Sequence, residues 1–355
     1  MKLGLGLYRH LLTPENFRFA RQAGATHIVA HFTDYERHAN LLSTGTGAGA
    51  WGITRNQERP WTYDDLYALR RAINAEGLEL AALENFDPAH WYDILLDGPR
   101  KHEQMNNLKQ LIRDMGRVGI SIMGYYFSVA GVWGRAEMTV ARGNAVSVGF
   151  TRAQLAQQTP VPNGMVFNMV YDPNAQPGTI GPVSEDEMWE RLKWFLDELL
   201  PVAEESGVTL AAHPDDPPIS PLRDTGRLIT RPEHFQRLLD LRLSPANKLE
   251  FCLGTIGEMQ TDAMTIYDAV QAYSQHIAYV HFRNVRGTVP DYAEVFIDEG
   301  ASDMVRVLKL LIDADYTGVL IPDHSPQMTC EAPWHAGMAY TLGWMRGALR
   351  ALGAL

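Results

Sequence analysis

Cysteine is nearly absent: Cys252 and Cys330 are the two in 355 residues. That excludes a disulfide framework and the small secreted scaffolds that depend on one. No apolar run approaches the roughly 18 residues that a membrane span requires. The opening Met1-Lys2-Leu3-Gly4-Leu5-Gly6-Leu7 turns polar at Tyr8-Arg9-His10, too soon for a secretory leader. Positive charge is in deficit, with 31 Lys and Arg against 42 Asp and Glu, a formal net charge of -11. No basic stripe is left to neutralise phosphates, so nucleic acid is excluded as a partner. A glycine-rich phosphate fingerprint is also missing, since Gly4-Leu5-Gly6 lies inside the first expected strand and no G-x-G-x-x-G follows it. These absences leave a cytoplasmic protein acting on a small molecule, without membrane or nucleic acid, and compatible with a homo-oligomer.

What the chain does contain is a recurring unit of helix, glycine and strand. Thr13-Pro14-Glu15-Asn16 reads as a capped helix start, with Pro at the first helical position. That helix stops at Gly24, and Thr26–His31 follows as a strand. The pattern returns with helix 62–75, Gly77 and strand 79–84, then helix 99–117, Gly119 and strand 120–126, then helix 185–205, Gly207 and strand 208–213. Helices over 231–241, 262–274 and 302–314 precede strands 248–252, 277–281 and 318–324, and a helix over 337–352 closes the chain. Eight strands alternating with eight helices predict a parallel sheet with crossover helices. That number favours a closed (β/α)8 TIM barrel, formed as one domain by residues 1–355, over an open sheet. Two stretches, 32–60 and 128–184, break the rhythm after strand ends, and are expected as loop excursions over the barrel mouth at its C-terminal face.

Four late strands end in metal-capable residues: His213, Cys252, His281 and Asp323, the last followed by His324. Barrel strands converge at their C-terminal ends, so two imidazoles, a thiolate and a carboxylate would meet at one mouth, a plausible mixed site for a first-row metal. Any one of them alone is more readily a structural strand-end residue, and Cys252 alone a small buried hydrophobe.

The run His213-Pro214-Asp215-Asp216-Pro217-Pro218 resembles mannonate dehydratases, and so do Phe251-Cys252-Leu253-Gly254-Thr255, His281-Phe282-Arg283, Pro322-Asp323-His324 and Arg21-Gln22-Ala23-Gly24-Ala25-Thr26. The resemblance implies a xylose-isomerase-like barrel with a divalent metal, usually Mn2+, though another first-row ion is compatible. It implies conversion of D-mannonate to 2-keto-3-deoxy-D-gluconate and water. It makes His213, Cys252, His281 and Asp323 the metal ligands and His324 the acid/base residue. Such chemistry suits these groups, because a metal-bound carboxylate stabilises the enediolate and an imidazole carries protons near neutrality. The alternative for His324 is to orient Asp323.

The chain also departs from the family. Tyr126 and Val132 stand where the family has Asn and Asp, and Ser325 follows the Asp-His pair in place of Gly. Pro333-Trp334-His335 replaces a Pro-Gly-Tyr motif, leaving His335 as a substitute proton donor, with Tyr340 nearby better suited to packing. Arg283, two residues past His281, is the candidate for a substrate carboxylate. Glu84, His31, His90, Tyr126 and Asp215 are further substrate-binding candidates, any of which could instead be a satisfied strand-end or loop residue. Trp51, Trp61, Trp91 and Trp133 lie in or beside the loops, where packing is the simpler role. The expected function is therefore a hydro-lyase acting on a sugar acid or related polyol, with D-mannonate itself handled poorly. A metal-dependent sugar isomerase or epimerase, or a non-catalytic sugar-binding relative, are the alternatives.

Overall fold

The computed structural model describes residues 1–33 and 59–355. Eight parallel strands close into a barrel. In chain order, strands one to eight are Lys2–Leu7, His27–His31, Glu79–Glu84, Ile122–Tyr125, Thr209–Ala212, Asn247–Cys252, Ile277–His281 and Val319–Ile321. Each pairs with its successor, and strand one closes against strand eight with Lys2 opposite Val319. Local chemistry sets the helix ends. Thr13 accepts a bond from the Asn16 amide at the head of helix Pro14–Gln22. Ser184 and Glu187 form a reciprocal box at the head of Glu185–Ser206. Helices Lys101–Val118 and Glu185–Ser206 end on Gly119 and Gly207, at φ 83° and 65°, where a side chain would be strained.

Several boundaries differ from expectation for visible reasons. The helix expected from residue 262 begins at Ile266, because Thr265 caps it in a box with Asp268. The last helix starts earlier, at Pro333, which occupies its first turn. Strand eight is only three residues long, so Asp323 and His324 already belong to the loop.

The larger departure is over the mouth. Within the expected excursion 128–184, residues Ala136–Ala141 and Ala145–Phe150 form a hairpin. A second hairpin, Asn284–Thr288 with Asp291–Val295, follows strand seven, between it and the helix expected over 302–314. The two join into a four-stranded antiparallel sheet through Tyr292 opposite Phe150 and Ala293 opposite Gly149. Of the excursion 32–60, residues 34–58, Trp51 among them, lie outside the described residues.

The barrel interior explains how the site is presented. Val29, Ala82, Ala211, Tyr279, Val319 and Ile321 form an inner cluster, no member more than 5% exposed. Gly4, Gly6 and Gly124 add no bulk to it. A Cβ on Gly124 would stand 2.1 Å from the Tyr279 hydroxyl and 2.5 Å from Glu250 Oε2, so only glycine leaves room for those two polar side chains. Side chains two apart on a strand share a face. Continuing the inward face by two residues gives Tyr8, His31, Glu84, Tyr126, His213, Cys252, His281 and Asp323, one at or just past the end of each strand.

Candidate active site

Seven of those eight side chains line one pocket with Asn85, Val132, Arg135, Phe167, Asp216 and His324, around about 540 Å³ of empty space that is partly open to solvent. The eighth, Cys252, is fully buried beneath it. Donor atoms of His213, Cys252 and His281 lie within 4.8 Å of one another, as do those of Glu84, Glu250 and His281. His281 is the hinge between the two groups. Its Nε2 lies 3.2 Å from Glu84 and 3.1 Å from Glu250, and its Nδ1 lies 3.5 Å from Asp323.

The charges are interlocked. Burial alone would raise the Cys252 thiol, but Arg283, His213 and His281 outweigh it and hold it well below its ordinary value. Burial opposes the charge on His213, yet Cys252 and Glu250 lift that imidazole to about 9. Burial likewise opposes His281, and Asp323, Glu84 and Glu250 raise it well above the ordinary value. Asp323 is held low against burial by His324, His281 and Arg283. Glu250 is pushed well above the carboxylate range by burial and by Glu84, while burial lowers His31. A cation bound among these groups needs the thiolate and the neutral imidazoles, so its binding would release protons. Both Glu250 oxygens and His281 Nδ1 are buried without a hydrogen-bond partner. Of the four expected ligands, His213, Cys252 and His281 bring their donor atoms together, and Asp323 stands outside that group, 3.5 Å from His281 Nδ1; imidazole and thiolate donors of this kind suit a divalent first-row ion.

A second network sits above the first. Nδ1 of His324 lies 2.8 Å from Glu294 Oε1, a contact that assigns it the ring proton, and its Nε2 is 3.5 Å from Asp323 Oδ1. Glu294 comes from the second mouth hairpin and also pairs at 3.2 Å with both Arg135 and Arg283. Burial opposes its charge, but His324, Arg135 and Arg283 hold its carboxyl below the ordinary range. Arg135 pairs with Asp216 and keeps a buried Nε without a partner.

Several expected roles do not match these positions. Arg283 is 2% exposed, and its donors go to Asp323 at 3.0 Å, Glu258 at 2.9 Å and Asp216 at 2.7 Å. Its guanidinium is a buried counter-ion with nothing left for a substrate carboxylate. Asp215 is spent on Arg227 and on the amides of Leu228 and Ile229, so it pins its own loop. His90 lines a neighbouring cavity with Arg9, Trp61 and Phe86. His335 bonds Asn16 at 3.0 Å and packs edge-on to Phe19 and Trp334, away from the pocket. The Tyr126 hydroxyl is consumed by the Asp216 amide and by Arg227, so this residue offers the pocket only its ring. Trp91 and Trp133 are buried packing residues.

Tyr8, Arg135, Glu250 and Glu294 were not singled out from sequence. Tyr8 and Glu250 follow from the period-two rule, Tyr8 two residues after Gly6 and Glu250 two before Cys252. Glu294 sits two residues from Tyr292 in a strand that follows the turn at Val289-Pro290, and that turn was the available sign of a hairpin. Nothing local in the sequence brings Arg135 to His324, because they are 189 residues apart.

Known proteins agree with this architecture. The family described as D-mannonate dehydratase (UxuA) matches residues 21–353. A mannonate dehydratase of Streptococcus equi subsp. zooepidemicus is 32% identical over 277 residues, 74% of each chain. One of Geobacillus thermodenitrificans is 28% identical over 283 residues, 74% of this chain and 75% of the relative. The crystal structure of mannonate dehydratase from Streptococcus suis serotype 2 superposes with a TM-score of 0.75 at 24% identity, covering 99% of this chain and 96% of that one. The chain therefore belongs to the D-mannonate dehydratase family.

Proposed function

We propose that the protein is a metal-dependent hydro-lyase that removes water from a sugar acid. His213, Cys252, His281 and Asp323 would hold a divalent metal, with Mn2+ the ion of choice. When bound, the metal supplies a Lewis acid for charge developing on the substrate carboxylate. His324 takes the proton from the carbon next to that carboxylate and delivers it to the hydroxyl leaving the neighbouring carbon, so that the C–O bond breaks and water departs, while Glu294 fixes the His324 ring through Nδ1. Arg135, rather than Arg283, faces the anion, because it lines the pocket and Arg283 does not. Tyr8 and His31, whose rings lie 4.8 Å apart, close the strand-one side. Among the described residues, no helix is long and apolar enough to cross a membrane.

The observation that carries this reading is the convergence of His213, Cys252 and His281 within 4.8 Å at the pocket of a family member. The test is incubation of metal-loaded and chelator-stripped protein with D-mannonate and a panel of hexonates, followed by assay for a 2-keto-3-deoxy acid. Product is expected only with metal. Absence of product from every acid, or product that survives chelation, would overturn the reading. The isomerase alternative calls for two carboxylates flanking the metal. Glu84 and Glu250 do adjoin His281, but Glu250 is 0% exposed, burial and Glu84 push its carboxyl above the ordinary range, and of the two only Glu84 lines the pocket.

A further inference from the structure

The wall of the pocket beyond His213 is carbon. Tyr126, Phe167 and Met169 form a small apolar cluster against which Tyr8 and Val132 pack. The rings run outward in steps: His281 to His213 at 5.3 Å, His213 to Tyr126 at 5.3 Å, and Tyr126 to Phe167 at 5.2 Å edge-on. Phe167 thus stands two rings beyond a metal-capable histidine.

The position of Phe167 is unusual. It and Asn168 are the two loop residues of a hairpin between Met165–Val166 and Met169–Val170. Both have φ 55°, the pattern of a type I′ turn, which favours Asn, Asp or Gly at its first central position. Asn168 suits such a turn, whereas a bulky aromatic there is an outlier. The surroundings hold it in place. Its amide donates to Val129 O at 2.7 Å, and the buried Arg223 donates to Asn168 Oδ1 at 3.3 Å. An aromatic held against backbone preference at a pocket wall points to a function for the ring.

We propose that Phe167, with Val132, sets the substrate's remote end. It selects a sugar acid that ends in a methyl group, a 6-deoxyhexonate, over one ending in a hydroxymethyl group. A hydroxyl pressed on this wall loses water and gains nothing, because Phe167 and Val132 have no polar side-chain atoms and the Tyr126 hydroxyl is already engaged by Asp216 and Arg227. A methyl group loses nothing there and buries its own surface. The inference deepens the sugar-acid reading and rests on it for the anchored end of the substrate.

The test is calorimetric binding of D-mannonate and of 6-deoxy-D-mannonate to the Mn2+-loaded protein, with product assayed in parallel. The wild type is expected to bind the deoxy acid at least about tenfold more tightly. Phe167→Asn should bring the ratio close to one, and Phe167→Leu, which keeps an apolar wall, should retain most of it. Equal or tighter binding of D-mannonate by the wild type would overturn the inference without the help of any variant. An unchanged preference in Phe167→Asn, or no binding of either acid, would overturn it as well. Preferential binding of the deoxy acid with no keto acid formed would sink the lyase reading and leave the specificity assignment standing.

Discussion

The two ends of the pocket are built by different parts of the chain and by different rules. The metal end is made by barrel strands, each delivering one side chain two residues past its last inward position. Its neighbours in space are consecutive units in sequence. The remote end is made by the chain that follows strand four, beginning at Tyr126, and by the hairpins over the mouth, and its residues meet partners far along the chain: Arg135 meets His324, and Tyr126 meets Asp216 90 residues on. The first construction fixes which groups can hold a cation, because strand geometry leaves no freedom once the register is set. The second is free to change wall chemistry without disturbing the barrel. The apolar faces of Tyr126 and Val132 belong to the second end, and the four metal-capable residues to the first.

The sharpest way to break that division is to remove a strand-end ligand. His213→Ala or His281→Ala should abolish bound metal and cut turnover by about a thousandfold or more, while the barrel stays folded. Metal analysis with circular dichroism checks both halves of the statement. Stoichiometric metal in either variant would show that the strand ends do not hold the cation.

A smaller effect is expected where the two constructions meet, at Glu294. Glu294→Gln leaves Arg135 and Arg283 facing one charge fewer in a site where both are buried. Breaking buried pairs of this kind costs about 3 kcal/mol. Losing the carboxylate that orients His324 should lower kcat about 10- to 100-fold. Urea denaturation and steady-state kinetics measure the two separately. A change in stability with kcat intact would reduce Glu294 to a structural counter-ion.

The same residue predicts a pH dependence. The folded protein holds the Glu294 carboxyl below its ordinary value of 4.5. The unfolded chain therefore takes up this proton first as pH falls. The stabilisation is fully present above about pH 4.5 and is lost as pH drops through the lower folded value. Urea midpoints followed into acid should fall less steeply for Glu294→Gln than for the wild type. Parallel curves would mean that other carboxylates dominate the acid limb.

The same division explains what could be read from the sequence. The barrel follows from alternating helix and strand patterns with glycine stops, and these are local signals. His213, Cys252, His281 and Asp323 stand out because strand ends in a parallel barrel must converge. Tyr8 and Glu250 were legible by the same rule applied to every strand and to the residue two before each end. Asp215, His90 and His335 looked alike on paper, being polar residues near a strand end or in a motif. What separates them from the pocket is their partners, Arg227 for Asp215 and Asn16 for His335. Arg283 shares a face with His281 as expected, yet four carboxylates claim it. Such long-range pairings have no periodic signature in sequence.

The gentlest way to sharpen the division acts on the remote wall alone. Val132 packs with Tyr126, Phe167 and Met169 while lining the pocket. Val132→Asp puts an acceptor on that wall without touching a barrel strand. A substrate hydroxyl would then find a partner where it now meets carbon, and discrimination built on one such bond is substantial. The gain is limited by the neighbours, since Phe167 still narrows the same wall and the new carboxylate must stay hydrated at the pocket's open side. We expect kcat/KM for D-mannonate to rise about tenfold, with metal content unchanged and thermal stability slightly reduced. The 6-deoxy acid should lose a similar factor, because its methyl group would now face a charge. If instead both acids lose activity together, the carboxylate has disturbed the Asp216 and Arg135 network, and the two ends of the pocket are not independent.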